Sequence, residues 1–396
     1  MKFMKPAVHR NTKITVNTKA IEQNVLNRVA LLEPNQELFA VVKANGYGHG
    51  AVETALAAKA GGATGFCVAV LDEALELREA GISDPILVLG ISRSEDAVIF
   101  AEQQISATIS SVDWLLEASK VMMDSGKTLP PLHVHLALDT GMGRIGVRNK
   151  RGISLVEKFI TSHHEYFALE GVFTHFAKAD DEDTAHVEAQ LAKFEELVDS
   201  FNELPKYVHC SNSAWALWHR PELSSIVRYG VAMYGINPSN GELPLPVALE
   251  PALSLTTEMV YVKQLHKGDT ISYGATYVCQ ESEWIATLPI GYADGWLRSY
   301  NTLEVLVDGK RCPVAGRICM DQMMIRLPEY YPAGTKVTLI GKSGEDLITA
   351  EEVSHHGGTI GYEVVCLLSD RIPREYVAEF ATETLDDLEE EIEIAG

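Results

Sequence analysis

From about residue 38 the chain alternates short runs of apolar and β-branched residues with stretches whose apolar positions recur every three or four residues. The short runs lie at 38–42, 65–70, 85–90, 106–110, 132–139, 169–175, 207–210 and 225–229. Each has the length of a strand, and the segments between them, such as 72–80 and 183–204, carry helical periodicity. Strands that alternate with helices pair in parallel, because a parallel neighbour is reached only through a long crossover. Eight such units within roughly 200 residues predict a (β/α)8 TIM-like barrel, with an open doubly wound sheet as the alternative topology.

The texture changes after the eighth run. Asn237, Pro238, Gly241, Pro244, Pro246 and Pro251 form a connector hostile to helix. Beyond it, 253–262 is rich in β-formers, and 303–307 and 310–314 flank Asp308-Gly309 as a hairpin. The chain is therefore α/β: an N-terminal barrel over 14–245, and a mainly β domain built from 1–13 and 246–396 that ends in an acidic tail. The run at 14–17 precedes the eight and is a candidate to pair with the second domain instead.

Composition narrows the class. The chain has 396 residues, 46% of them hydrophobic, and a formal net charge of −22. Such a surface repels phosphate backbones and anionic lipid heads, so neither nucleic acid nor membrane is the expected partner. No apolar run approaches the roughly 20 residues that span a bilayer, and no apolar stretch follows the basic residues at the N-terminus. A cytoplasmic protein is expected. The six cysteines are scattered without metal-ligand spacing, so neither disulfides nor a metal site is expected.

In a barrel, chemistry gathers where strands end. The first run closes with Val41-Val42-Lys43-Ala44-Asn45-Gly46-Tyr47-Gly48-His49-Gly50. A lysine at a strand end projects toward the barrel mouth, where partial desolvation makes it a Schiff-base former; the alternative is a lysine that simply reaches solvent. Ser211-Asn212-Ser213 follows the seventh run and Arg228-Tyr229-Gly230-Val231 belongs to the eighth, where barrels bind phosphate through N–H groups and hydroxyls. Gly141-Met142-Gly143-Arg144-Ile145-Gly146 fits G-x-G-x-x-G, but it stands in the fifth unit and not in a first βαβ. Its glycines suit a loop that approaches a ligand while Arg144 points inward.

Taken together, these segments resemble the alanine racemases. The resemblance covers nearly the whole chain: 41–50, where the family more usually has alanine at the position of Gly46, then 139–146, Thr174-His175-Phe176, 210–213, 227–235, 272–277, 289–296, 316–321 and 361–364. It implies pyridoxal 5′-phosphate as cofactor, held covalently by Lys43. Tyr47, Asn212, Ser213, Tyr362 and the backbone of Gly230 and Val231 would hold its phosphate. Arg144 would reach the phenolic oxygen and the substrate carboxylate, helped by Met320. His175 would lie against the ring and Arg228 would bond the ring nitrogen. Tyr273, from the partner copy of a homodimer, would be the second base, with Tyr292 narrowing the entrance and Asp321 beside the substrate. Asp180, Arg298 and Arg317 would stand further out. The implied function is racemisation of L- and D-alanine for peptidoglycan.

One departure stands out. Where the family often carries a carbamylated lysine, two residues before Asp139, this chain has Ala137. Arg144 therefore lacks its usual anionic neighbour. A racemase of broader substrate range, serine included, a decarboxylase of the same architecture and a non-catalytic cofactor-binding barrel are the competing functions.

Overall fold

The computed structural model describes residues 6–219 and 224–378, and the acidic tail lies outside them. The chain divides into two compact units: Val25–Leu249, and the residues up to Asn24 together with those from Glu250 onward.

The first unit is the barrel. Its strands are β2 (Glu37–Val41), β3 (Gly65–Val68), β4 (Ile86–Ile91), β5 (Ser106–Ile109), β6 (Leu132–Ala137), β7 (Phe167–Phe173), β8 (Tyr207–His209) and β9 (Ile226–Tyr229), numbered after a first strand β1 (Lys13–Asn17). All paired neighbours are parallel, in the spatial order β8-β7-β6-β5-β4-β3-β2-β9. At the β8–β9 seam the Ser225 N–H donates to Val208 O at 2.7 Å and the Arg228 N–H donates to Ser211 O at 3.1 Å, which all but closes the ring. The doubly wound alternative is excluded, since an open sheet leaves two free edges.

A helix follows each of β2 to β8. The helix expected at 183–204 spans Ala185–Val198. Beyond its end, Asn202 offers its backbone N–H and side-chain amide to the Glu157 carboxylate, both at 3.0 Å. The interior is not wholly apolar: His135, His209 and Arg228 are buried among Phe39, Tyr207 and Phe173.

The second unit is mainly β. Its larger sheet runs Lys310–Pro313, Glu304–Val307, Lys336–Ser343, Leu253–Glu258, β1 and Arg374–Val377, with Asp346–Ile348 paired to Lys336–Ser343. The hairpin reading holds: Asp308 and Gly309 both have positive φ, as a two-residue turn between right-twisted strands requires. A three-stranded sheet joins Tyr261–Leu265, Glu283–Leu288 and Met323–Leu327.

β1 corrects the boundary expected at residue 14. It pairs antiparallel with Leu253–Glu258 and parallel with Arg374–Val377, so Ile14 and Val16 pack into the β unit and the barrel unit starts at Val25. A five-residue strand read alone shows which residues it buries, not which sheet receives them. Arg10 reinforces the placement by pairing with the fully buried Asp294 carboxylate of the same unit.

Candidate active site

Lys43 stands at the end of β2, half-buried, and helps to line a cavity of about 250 Å³ at the C-terminal mouth of the barrel. Ala137, Arg144, Phe173, Thr174 and His175 share that lining, which contains two cations and no carboxylate.

The loop behind Lys43 is an unusual piece of backbone. Ala44, Asn45, Gly46, Tyr47 and Gly48 all have positive φ and make one left-handed turn. For three of these residues a side chain opposes that conformation. The turn persists because its polar groups are satisfied locally. Ala44 N–H donates to the Glu73 carboxylate at 2.7 Å, and Asn45 Oδ1 accepts from Ala51 N–H at 3.0 Å. Gly48 N–H reaches Ala44 O at 3.0 Å and Gly50 N–H reaches Asn45 O at 2.9 Å. The consequence is that Tyr47 turns inward, 8% exposed, against Tyr234.

Tyr47 meets the seventh- and eighth-unit loops at Gly230. A Cβ on Gly230 would fall 2.9 Å from Tyr47 Oη, so only glycine lets this hydroxyl approach. Gly230 N–H donates to Ser213 Oγ at 2.8 Å. Asn212 caps the short helix Ser213–Trp218 by accepting from Trp215 N–H at 2.9 Å. Two hydroxyls, Tyr47 Oη and Ser213 Oγ, thus meet at the Gly230 backbone, groups of the kind that bind phosphate.

Arg144 rides on the glycine loop after β6. Asp139 Oδ1 accepts the N–H of Gly141 at 3.1 Å and of Gly143 at 2.9 Å, which shapes the loop. A Cβ on Gly146 would strike Asp139 N at 2.4 Å, so the third glycine serves loop closure and not a dinucleotide. Arg144 is exposed and makes no hydrogen bond among the described residues. Ala137 is buried, and its methyl side chain offers Arg144 no acceptor.

Arg228 is 3% exposed and heavily bonded. Its Nη1 donates to His209 Nδ1 at 2.7 Å, and its Nη2 reaches Thr174 O at 2.9 Å, Cys210 O at 3.2 Å and His175 Nδ1 at 3.5 Å. Its Nε makes no hydrogen bond among the described residues, which leaves a donor for a ligand acceptor. Burial, followed by the nearby cations Arg228, Arg144 and Lys43, pushes His175 well below the ordinary histidine range, so its ring is neutral. Burial raises the thiols of Cys67 and Cys210 to about 12, so neither is a nucleophile.

The remaining expected residues belong to the β unit. Tyr273 is 72% exposed, on a turn where Ser272 and Gly274 have positive φ and Ser272 Oγ donates to Arg317 O at 2.6 Å. Met320 is exposed and accepts through its carbonyl from Ala293 N–H at 3.0 Å. Tyr292 is exposed, Tyr362 half-buried, and Asp321 is ion-paired to Arg371 at 2.5 Å. Sequence reasoning missed Glu73, His135, His209 and Glu170. His133-x-His135 on a strand was a legible signal, since alternate residues share a face.

Residues 16–238 match the family described as alanine racemase, N-terminal domain, and 252–376 match alanine racemase, C-terminal domain. The chain is 52% identical over 369 residues to the alanine racemase of Lacticaseibacillus casei (strain BL23), covering 93% of this chain and 97% of that one. It resembles the crystal structure of alanine racemase from E. faecalis with a TM-score of 0.91 at 51% identity, over 94% of this chain and all of that one. The histidine racemase from Leuconostoc mesenteroides subsp. sake NBRC 102480 is similar at a TM-score of 0.87 and 32% identity, over 95% of this chain and all of that one. With both domains matched and half the residues shared over nearly full length, the chain belongs to the alanine racemase family.

Proposed function

We propose that the barrel mouth holds pyridoxal 5′-phosphate on Lys43 and that the protein interconverts L- and D-alanine by passing the α-proton between two bases. The observation that carries this reading is the donor set: Lys43, Arg144 and Arg228 stand with a neutral His175 around a mouth whose cavity lining holds no carboxylate. Such a set suits a ligand whose polar atoms are acceptors, namely a phenolic oxygen, an unprotonated ring nitrogen and a substrate carboxylate.

Tyr47, Ser213 and the amides of Gly230 and Val231 would take the phosphate, with Asn212 fixing Ser213. When bound, the cofactor supplies an electron sink that acidifies the amino acid's α-carbon. Arg228 can only donate hydrogen bonds, so it keeps a facing ring nitrogen unprotonated and moderates that sink. Arg144 would orient the substrate carboxylate.

Inversion needs a proton to leave one face and return on the other. Lys43 Nζ holds it on one face and Tyr273 Oη on the other. An amine and a phenol on opposite faces are the two groups such a transfer calls for. Tyr273 stands exposed on its own unit, as suits a group donated to the site of a second copy, and we therefore infer a homodimer. D-alanine made in the cytoplasm would supply peptidoglycan. No described helix is long and apolar enough to cross a membrane.

Purified protein should be coloured. Borohydride reduction followed by peptide mapping should place the modification on Lys43; an unlabelled Lys43 in colourless, folded protein would defeat the reading. A panel of L-alanine, L-serine and L-histidine, followed by chiral analysis, should show alanine turned over fastest. A histidine preference would move the protein toward the histidine racemase it resembles, and carbon dioxide release would mark a decarboxylase.

A further inference from the structure

Behind Arg228 the barrel interior carries a line of polar side chains that the proposed chemistry does not use. From Arg228 Nη1 it passes to His209 Nδ1 at 2.7 Å, from His209 Nε2 to His135 Nδ1 at 2.9 Å, and from His135 Nε2 to Glu170 Oε2 at 3.1 Å. Glu170 also accepts from Ser106 Oγ at 2.6 Å and lies 3.0 Å from His133 Nδ1 through its other oxygen. Ser106 opens β5 and His133 is the second residue of β6, so the line ends at the N-terminal mouth, opposite the active site. There Ser106, His133 and Glu170 border a cavity of about 320 Å³.

The line has a direction. A guanidinium cannot accept a hydrogen bond, so His209 Nδ1 must be bare and its proton must sit on Nε2. That makes His135 Nδ1 the acceptor and puts the His135 proton on Nε2, where only a carboxylate receives it. With both rings neutral, this is the single arrangement that satisfies all three bonds. The rings are neutral because burial, with the charge of Arg228 added, lowers both histidines. Space for the line is built in: a Cβ on Gly171 would fall 2.3 Å from His135 Nδ1, so glycine on β7 makes room for the ring.

We propose that Glu170 is a positioning residue which, by accepting the His135 N–H at one mouth of the barrel, keeps His135 and His209 in the tautomers that present His209 Nδ1 as an acceptor, and so fixes the orientation of the Arg228 guanidinium at the other mouth. Its effect on a bound cofactor rests on the reading of Arg228 given above; the tautomer assignment does not. Conservation of stability alone is the usual business of a barrel's N-terminal face. Here a carboxylate on that face would also set the electronics at the opposite end.

Neutron diffraction from crystals of the whole protein tests the assignment. Deuterium should appear on Nε2 and not on Nδ1 of both His135 and His209; deuterium on His209 Nδ1 overturns the proposal. Two variants test the consequence. Glu170→Gln keeps an oxygen acceptor for His135, so the visible band should stay in place. Glu170→Leu removes the acceptor, and should shift that band and lower kcat by on the order of tenfold with KM nearly unchanged. A purely structural role would lower the melting temperature and leave band and kcat where they were, and that result also overturns the proposal. Colourless protein with the expected tautomers would sink the cofactor reading and leave the positioning role standing.

Discussion

The Glu73 carboxylate joins two loops of the barrel mouth: one oxygen accepts the Ala44 N–H at 2.7 Å and the other accepts the Ala69 N–H at 2.7 Å. Glu73 is thereby a clamp on the residue that follows Lys43. Hydrogen bonds to a charged group are worth about 1.5–3 kcal/mol each. Replacing Glu73 by alanine should lower the unfolding free energy by about 2 kcal/mol and reduce the visible absorbance per protein. Denaturant titration and an absorbance spectrum check both.

The left-handed turn stores strain at Ala44. Its φ is 54° with ψ 50°, and its side chain is exposed. Glycine adopts that conformation freely, whereas an alanine there is opposed by about 1 kcal/mol or more. Ala44→Gly should therefore raise the unfolding free energy by up to about 1 kcal/mol, offset in part by the greater freedom of glycine when unfolded. Asn45→Gly should not, because it removes the acceptor for Ala51 N–H. Paired denaturation curves separate the two.

Arg228 faces the carbonyls of Thr174 and Cys210, so a carboxylate there would meet acceptors and stand unpaired among buried groups. Arg228→Glu should destabilise the protein by several kcal/mol in the manner of an unpaired buried charge, about 3–5. In the fraction that folds, a protonated ring nitrogen becomes available and transamination products should rise relative to racemised alanine. Pyruvate assay against chiral analysis reads that ratio; an unchanged ratio would refute the role given to Arg228.

Three buried histidines make stability fall on the acid side. His175, His209 and His135 all sit below their ordinary value of 6.5 when folded. The unfolded chain then binds more protons than the folded one as pH drops through that value, so stability rises with pH there. Each contributes up to about 1.4 kcal/mol per pH unit. Glu170, held low by its bonds to His133, His135 and Ser106 against the cost of burial, adds the same sign further into acid. His133, raised by its bond to Glu170, works the other way and is lost as pH rises through its folded value. The melting temperature should fall steeply below about pH 6.5, and His209→Asn should flatten the slope.

Arg144 has no anionic neighbour at Ala137. Chloride should fill that role. Added chloride is expected to lower the KM for alanine in the natural protein, and to do so far less in Arg144→Ala. Equal chloride responses in the two would remove the idea.

Much of the barrel was legible because its strands are short apolar runs spaced by helical segments, and parallel pairing follows from that order. The strand-end lysine, the Ser213 and Gly230 loops and the glycine loop around Arg144 were visible as motifs at the ends of particular strands. Glu73, His209 and Glu170 were not, and His133-x-His135 told only that two histidines share a face of one strand, since a carboxylate in a first helical turn or a histidine within a strand looks the same whether it bonds to a backbone amide, to solvent or to a distant ring.

The chain's own order of apolar and polar residues therefore determined the architecture and the chemical types available at each strand end. Which sheet receives β1, how the residues after Lys43 curl into a left-handed turn, and which way protons point from Arg228 to Glu170 were decided only by the folded chain. The physical reason is that periodicity records burial one residue at a time. A hydrogen-bond direction or a strand's partner is a relation between residues tens to hundreds of positions apart, and it exists only once the barrel has brought them within about 3 Å.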